Sequence, residues 1–312
     1  MKLTRQVVQY ALKRPFRISR GSRTTAEVIQ VTIEKDGKVG IGECSPTGRY
    51  GESFDSVIAQ IDSLAGKDFG RESLQYLLPP GAARNAVDCA LWDLASDDFP
   101  FDLPLPETIQ TAMTVSIADA ETMAEEAARY VEQGATLIKV KLDADDVFNR
   151  LSAVRKVAPN VTLIVDANEA WSTLDLQETI DSLVPLNITM IEQPLPASED
   201  DKLTGFKSPI PLCADESCHT KEDIPLLATR YQIVNIKLDK TGGLTAALEL
   251  EQAARDAGLE IMVGCMLGSS IAMKAALPVA AKAILVDLDG AFLIKDDVPN
   301  GLNYQTGSIV LA

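Results

Sequence analysis

Two lysines one residue apart, Lys139 and Lys141, close a short apolar run, Thr136-Leu137-Ile138, that reads as a buried strand. Residues i and i+2 of a strand face the same way, so two ammonium groups are set side by side. Each raises the cost of charging the other, which pushes one toward the neutral amine a general base requires. Three later runs end in single carboxylates, Asp166, Glu192 and Asp215, and the next ends in Lys237. With a single histidine, His219, in the chain, a metal held by that set has oxygen ligands only. Hard oxygen ligands select Mg2+ (or Mn2+) over zinc or copper. The last run ends in Asp287-Leu288-Asp289, a second carboxylate pair at i and i+2. Lying away from the metal sector, that pair suits a cation such as a substrate ammonium group.

The elements that must position these groups repeat. Apolar runs occur at 110–116, 136–142, 161–166, 188–192, 211–215, 233–237, 260–264 and 284–287, starting every 22 to 27 residues. Amphipathic stretches lie between them at about 119–132, 145–157, 173–184, 220–229, 243–257 and 269–282, with the weakest helical signal between the fourth and fifth runs. That period is one βα unit, and the expected fold is an α/β, (β/α)7β modified TIM barrel. A doubly wound sheet is the alternative, because periodicity does not report closure. In a barrel the run ends meet at the C-terminal mouth. The three carboxylates then converge on strands three to five, with Lys141 on strand two and Lys237 on strand six facing each other across them. A carboxylate substrate bound to the metal would have an amine on each face of its α-carbon. The metal would stabilise the enediolate formed by proton removal, and return of a proton from the opposite face would invert the centre.

Residues 1–45 read as antiparallel strands, with Asp36-Gly37 marking a hairpin. A basic, small-residue segment, residues 17–23, carries Arg20 and Arg23, and a turn-rich loop, 45–53, carries Arg49. Residues 53–97 read as helical, and 97–107, with three prolines, as a linker. The formal charge of −16 opposes binding to nucleic acid or anionic membranes. No apolar run reaches the ~18 residues of a membrane helix. Five scattered cysteines and the absence of a signal-peptide pattern suit the cytoplasm, and Cys213, Cys218 and His219 lack the spacing of a zinc site.

Together these stretches resemble the enolase superfamily, in its muconate lactonizing enzyme subgroup. The resemblance rests on Ala90-Leu91-Trp92-Asp93-Leu94, Lys139-Val140-Lys141, Asp166-Ala167-Asn168, Ile191-Glu192-Gln193-Pro194, Ala214-Asp215-Glu216-Ser217 and the segment from Asn235 to Gly243. Within the subgroup, Asp287-Leu288-Asp289-Gly290 is similar to the dipeptide epimerases. The resemblance implies a capping domain at 1–107, a barrel at 108–294 and a segment, 295–312, packing back on the cap. It implies Lys141 and Lys237 as acid/base catalysts, Mg2+ as cofactor, and Asp166, Glu192 and Asp215 as its ligands. It implies that Lys139 supports the substrate carboxylate, that Asp287 and Asp289 receive a dipeptide's ammonium, and that Thr114 contacts substrate. Cys265 and Met266 lie on the loop after strand seven, whose backbone can approach substrate. One of Arg20, Arg23 and Arg49 would pair with a glutamate side chain, since a guanidinium fork suits a carboxylate. Other enzymes of the subgroup, acting on carboxylates without an ammonium group, are the alternative. A Schiff-base aldolase using Lys237, and a non-catalytic barrel holding a structural cation, are more distant ones.

Overall fold

The computed structural model describes residues 1–19, 21–96 and 105–311. Eight strands, Met113–Val115, Leu137–Lys141, Thr162–Asp166, Ile188–Glu192, Leu212–Ala214, Ile233–Ile236, Glu260–Gly264 and Leu285–Asp287, lie side by side in chain order. Every neighbouring pair is parallel. Ala112 N donates to Val286 O at 2.8 Å, joining the last strand to the first. A doubly wound sheet would reverse its strand order at a switch point. This one does not, so the barrel is closed.

Strand alternation decides which residues reach the mouth. Ala112, Leu137, Ile164, Met190, Cys213, Ile233, Met262 and Leu285 form an apolar ring inside the barrel. Two residues further along each run stand Thr114, Lys139, Asp166, Glu192, Asp215, Asn235, Gly264 and Asp287. The intervening residues, among them Val140, Val165, Ile191 and Val234, belong to the main core beneath the outer helices. Those helices are Ala120–Glu132, Val147–Val157, Leu176–Leu183, Leu244–Asp256 and Ser270–Ala280. Side-chain caps from Asp119, Asp175 and Ser269 start three of them. Between strands four and five the connection is a 3-10 helix, Ala197–Leu203, where the helical signal is weakest. The next connection shortens to Lys221–Asp223 followed by one α-turn, Ile224–Leu227.

The cap is a three-stranded antiparallel sheet, β1 (Lys2–Ile18), β2 (Gly21–Lys35) and β3 (Lys38–Cys44). Asp36 and Gly37, with φ of 51° and 80°, make the tight turn between β2 and β3. Helices α1 (Phe54–Asp62), α2 (Arg71–Leu77) and α3 (Ala82–Ala95) follow. Helix α3 lies so close to β3 that a Cβ on Gly40 would sit 2.1 Å from Ala90 O, and one on Gly42 2.0 Å from Ala86 O. On its other side α3 is fixed to the barrel by buried polar contacts. Arg84 donates to the carbonyls of Thr241 at 2.7 Å and Gly242 at 3.1 Å. Asp88 accepts from Thr245 N at 2.9 Å and Thr245 Oγ1 at 2.7 Å. Gly242 and Gly243 permit this approach: their φ values are 84° and 108°, and a Cβ on either would meet Arg84 or Asp88 within 2.5 Å.

Three expectations change. Arg17, Ile18 and residues 21–23 lie not in a loop but in the paired ends of β1 and β2, with Phe16 opposite Arg23 and Ile18 opposite Gly21. The register breaks between Ala11 and Phe16, where Leu12 bridges Ile294 instead. The run 110–116 is divided: Thr108–Gln110 is a separate strand pairing with Ser308–Val310, which pairs in turn with Asn303–Gln305. The segment 295–312 therefore touches the cap at its start, through Lys295 N to Ala11 O at 2.8 Å, and then extends a sheet on the strand before the barrel. Thr108–Gln110 offers an edge that the terminal hairpin covers by antiparallel pairing. Most of the expected linker, residues 97–104, lies outside the described residues, as does Arg20.

Gly42→Ala should destabilise the protein by about 3 kcal/mol or more, because the added methyl has only backbone to push against. Urea unfolding checks this; a midpoint unchanged from the parent protein would show that α3 can move off β3.

Candidate active site

The alternation places the expected acid/base and metal-binding side chains together. Asp166, Glu192 and Asp215 offer carboxylate oxygens that lie within 4.8 Å of one another, all buried. Lys141 lies on strand two, and Lys237 follows strand six. Three strands lie between them on either side of the eight-stranded barrel, so they stand on opposite sides of the acidic cluster. Gly264, the one strand end without a side chain, now has a reason: a Cβ there would lie 2.9 Å from Lys237 Cε.

Lysine amines hold the cluster together. Lys139 Nζ lies 2.6 Å from Glu192 Oε2, 2.7 Å from Asp287 Oδ2 and 3.1 Å from Asp166 Oδ2. Lys141 also bonds to Asp166 Oδ2. Lys237 meets Asp215 Oδ2 at 2.7 Å, and Lys240 meets Asp215 Oδ1 at 2.6 Å. Lys240 also donates to Asn235 O at 3.0 Å, and Asn235 Nδ2 to Glu192 Oε1 at 2.8 Å. Gln193 Oε1 accepts from Asp215 N at 2.9 Å and Ser217 N at 3.2 Å, which sets the turn carrying the third carboxylate.

These contacts set the charge on Lys139. Burial opposes the charge on Lys139, but Asp287, Glu192 and Asp166 raise its pKa well above the ordinary value. The ammonium is therefore held on Lys139, and that of Lys237 is held likewise, by Asp215 and Glu192 against its burial. The carboxylates divide. Burial opposes ionisation of Asp166, and Lys141 with Lys139 more than offsets it, lowering the pKa. Asp215 is lowered in the same way by Lys237 and Lys240, against its burial. Glu192 is raised, by burial and by Asp166. A dication would favour ionisation of all three. Three hard, anionic, convergent oxygens fit a divalent metal.

Asp287 and Asp289 are not remote from this sector, because Lys139 touches Asp287 and two of the three cluster carboxylates. Asp287 Oδ1 is buried without a hydrogen-bond partner among the described residues. Asp289 Oδ2 accepts from Thr114 N at 3.0 Å, and burial followed by Asp287 pushes its carboxyl up to about 7. Thr111 Oγ1 accepts from Leu288 N at 2.8 Å, and Tyr304 donates to Leu288 O at 2.6 Å, so the terminal hairpin supports this pair.

A cavity of about 480 Å³ opens over the cluster. Lys141, Lys237, Asp287 and Asp289 reach it from the barrel, with Cys265, Met266 and Thr114 on its wall. The cap contributes Phe16, Ile18 and Arg23 from the hairpin tip and Arg49 and Tyr50 from the 3-10 turn Gly48–Tyr50. Arg23 has no ion pair among the described residues. Arg49 does: its Nε donates to Glu169 Oε2 at 2.7 Å and its Nη2 to Glu169 Oε1. Burial and nearby Asp287 raise the Cys265 thiol well above its usual range, which leaves it a wall residue and not a nucleophile. Cys213 faces the inner ring while Cys218 lies in the outer core, so they do not converge with His219.

Arg84, Asp88, Glu43 and Asp239 are buried residues whose roles the sequence reading missed. The available signal was polar residues four apart, Arg84 and Asp88, on a helix otherwise dominated by alanine and leucine. Glu43 accepts from Ser269 N and Oγ, each at 2.7 Å, tying β3 to the start of a barrel helix. Asp239 Oδ1 accepts from Ser45 N and Asn85 Nδ2, each at 3.0 Å.

A barrel of this topology, capped by an antiparallel sheet and holding three carboxylates between two lysines, defines a family that the sequence matches along its length. Residues 2–100 match the mandelate racemase / muconate lactonizing enzyme N-terminal domain, and residues 122–311 match the enolase C-terminal domain-like family. The chain belongs to this family. It is 48% identical to the L-Ala-D/L-Glu epimerase of Escherichia coli (strain K12), over 97% of each chain. It is 44% identical to the N-acetyl-D-glutamate racemase of Pseudoalteromonas sp, over 90% of this chain and 92% of the relative. Among solved structures, an enolase family member from Agrobacterium tumefaciens with homology to dipeptide epimerases holds sodium and L-Ala-L-Glu. It matches with a TM-score of 0.95 at 42% identity, over 99% of this chain and 97% of that one.

Burial pushes the Asp239 carboxyl up to about 7, and its Oδ2 is left to carry the proton. An unfolded aspartate ionises near ~3.9. The folded state thus holds more protons between about pH 4 and pH 7, and stability falls as pH rises through that window. Asp239→Asn keeps Oδ1 as the double acceptor and cannot ionise. Its stability relative to the parent should rise by about 2–4 kcal/mol from pH 5 to pH 8 in urea unfolding, and a constant difference would refute the raised pKa.

Proposed function

We propose that this chain is a Mg2+-dependent dipeptide epimerase that interconverts L-Ala-D-Glu and L-Ala-L-Glu at the C-terminal α-carbon. The observation that carries this reading is the pair Lys141 and Lys237 on opposite sides of a convergent carboxylate triad. Asp166, Glu192 and Asp215 would hold the metal, which when bound supplies Lewis acidity to a substrate carboxylate. Lys139, fixed as an ammonium by its carboxylates, adds a second positive charge where that carboxylate gathers electron density. One of Lys141 and Lys237 removes the α-proton, and the other returns a proton to the opposite face. Each amine must first leave its carboxylate partner, Asp166 for Lys141 and Asp215 for Lys237, and metal binding to those same oxygens favours that release.

The dipeptide's ammonium group is assigned to Asp287 and Asp289, where the unpartnered Asp287 Oδ1 is an acceptor in need of a donor. Its side-chain carboxylate is assigned to the hairpin tip. Arg23 faces the cavity there, and Arg20 is the other candidate; Arg49 already has its fork on Glu169. The E. coli relative named for this reaction supports the assignment. The racemase relative, named for N-acetyl-D-glutamate, supports a second reading in which an acyl group replaces the aminoacyl group. Buried carboxylates at 287 and 289 favour the ammonium over a neutral acetyl group. We place the activity in the cytoplasm, in the recycling of cell-wall peptides.

In D2O with Mg2+, L-Ala-L-Glu should lose its C-terminal α-proton signal and accumulate the epimer; no deuterium uptake would exclude the reaction. Lys141→Ala and Lys237→Ala should each lower epimerisation by about 10²–10⁴-fold. Each should also retain wash-in of deuterium from one epimer only. Asp287→Asn should lower kcat/KM for the dipeptide by about 10–100-fold while affecting N-acetylglutamate less. Equal losses on both substrates would favour the acyl reading. Chelation by EDTA should abolish turnover and Mg2+ restore it.

A further inference from the structure

Both cap segments that border the cavity also reach one short piece of the barrel. Strand three ends at Asp166, and the turn that follows contains Asn168 and Glu169 with φ of 41° and 68°. Left-handed backbone costs a non-glycine residue about 1–2 kcal/mol, so consecutive residues in that state persist only where contacts hold them. The contacts come from four directions. Asn168 N donates to Asp166 Oδ1 at 2.9 Å, and Glu169 N to Gln193 O at 2.8 Å. Ser19 Oγ, at the hairpin tip, donates to Asn168 O at 3.1 Å. The Glu169 carboxylate takes the Arg49 fork on both oxygens and Ala197 N at 3.0 Å.

The Arg49–Glu169 pair also has the setting in which an ion pair matters. The Glu169 side chain is 9% exposed and that of Arg49 37%, so solvent screens the pair from the Arg49 side only. Beside it, Tyr50 packs edge-on against His219 with ring centroids 4.7 Å apart, holding the same 3-10 turn against the loop after strand five. A second cavity of about 670 Å³ lies beyond this turn, bordered like the first by Arg49, Tyr50 and Glu216. The turn is thus a partition, seated on the barrel by Glu169.

We propose that Arg49 and Ser19 are positioning residues for Asp166, and that seating of the cap loops is thermodynamically coupled to metal binding. The inference rests on the assignment of Asp166 as a metal ligand. Ser19 and Arg49 hold the turn from its two ends, and the Asn168 amide between them fixes the rotation of the Asp166 carboxylate. When the loops lift, the turn is free to leave its left-handed conformation, the Asn168 amide moves and the carboxylate loses its orientation. By linkage the coupling is reciprocal, so a bound divalent cation favours seated loops before any substrate arrives.

Mn2+ affinity of the full-length protein without substrate, measured by electron paramagnetic resonance of the free ion, tests this. Arg49→Gln and Glu169→Gln should each weaken Mn2+ binding by about 10-fold, the scale of lost support to a metal ligand. The reversed pair, Arg49→Glu with Glu169→Arg, should recover most of that loss. Cleavage of the 45–53 loop by protease should slow on adding Mn2+ to the parent protein and not to Arg49→Gln. Unchanged Mn2+ affinity in Arg49→Gln, with the parent protein binding normally, overturns the coupling. A parent protein that binds no Mn2+ overturns the metal assignment itself. Circular dichroism melting of both single variants separates loss of fold from loss of coupling.

Discussion

Five carboxylates and four lysine amines are buried in the mouth of one barrel, and none of them could be held there singly. An isolated buried charge costs several kcal/mol even after relaxation, so each group depends on its neighbours for its ionised state. Lys139 is the centre of this arrangement because it touches carboxylates from strands three, four and eight. It closes the circle between the metal-binding sector and the Asp287–Asp289 pair. The formal charge of the set is one short of balance. A dication held by the three carboxylates offsets that deficit.

The geometry of these charges depends on the cap as much as on the barrel. Helix α3 grips the segment after strand six through Arg84 and Asp88, and Asp239 ties that segment to Ser45. Lys237 and Lys240 are carried by the segment so held. Glycines make the grip possible on both sides: Gly40 and Gly42 under α3, Gly242 and Gly243 against its polar face. A fold often described as a lid on a scaffold is here a single clamp, in which the lid's helix fixes part of the catalytic wall.

Much of the site was legible because strand alternation is strict. Polar residues standing two positions beyond an apolar one, as in Leu137-Ile138-Lys139 and Ile164-Val165-Asp166, had to face the barrel interior together. The period of the runs similarly specified eight strands in order. What could not be read was pairwise distance. The like-charge argument for Lys139 and Lys141 carried no information on the three carboxylates from other strands that approach Lys139. The segment from 17 to 23 reads as a loop because its glycine and serines are turn formers, yet Arg17 pairs with Ser22 and Ile18 with Gly21. The run 110–116 hid a break because both halves are apolar enough for a strand, and only the terminal hairpin shows that its first half belongs elsewhere. Sequence left three candidate arginines open; of these, Arg49 has its guanidinium on Glu169, which is distant in sequence.

The anchoring of α3 has a further consequence for how molecules enter. A cap bolted along its helix cannot swing away as a body, so access to the chamber is by movement of the hairpin tip and the 48–50 turn alone. Such an aperture closes around a small free molecule and cannot close around a residue with polymer continuing from both ends.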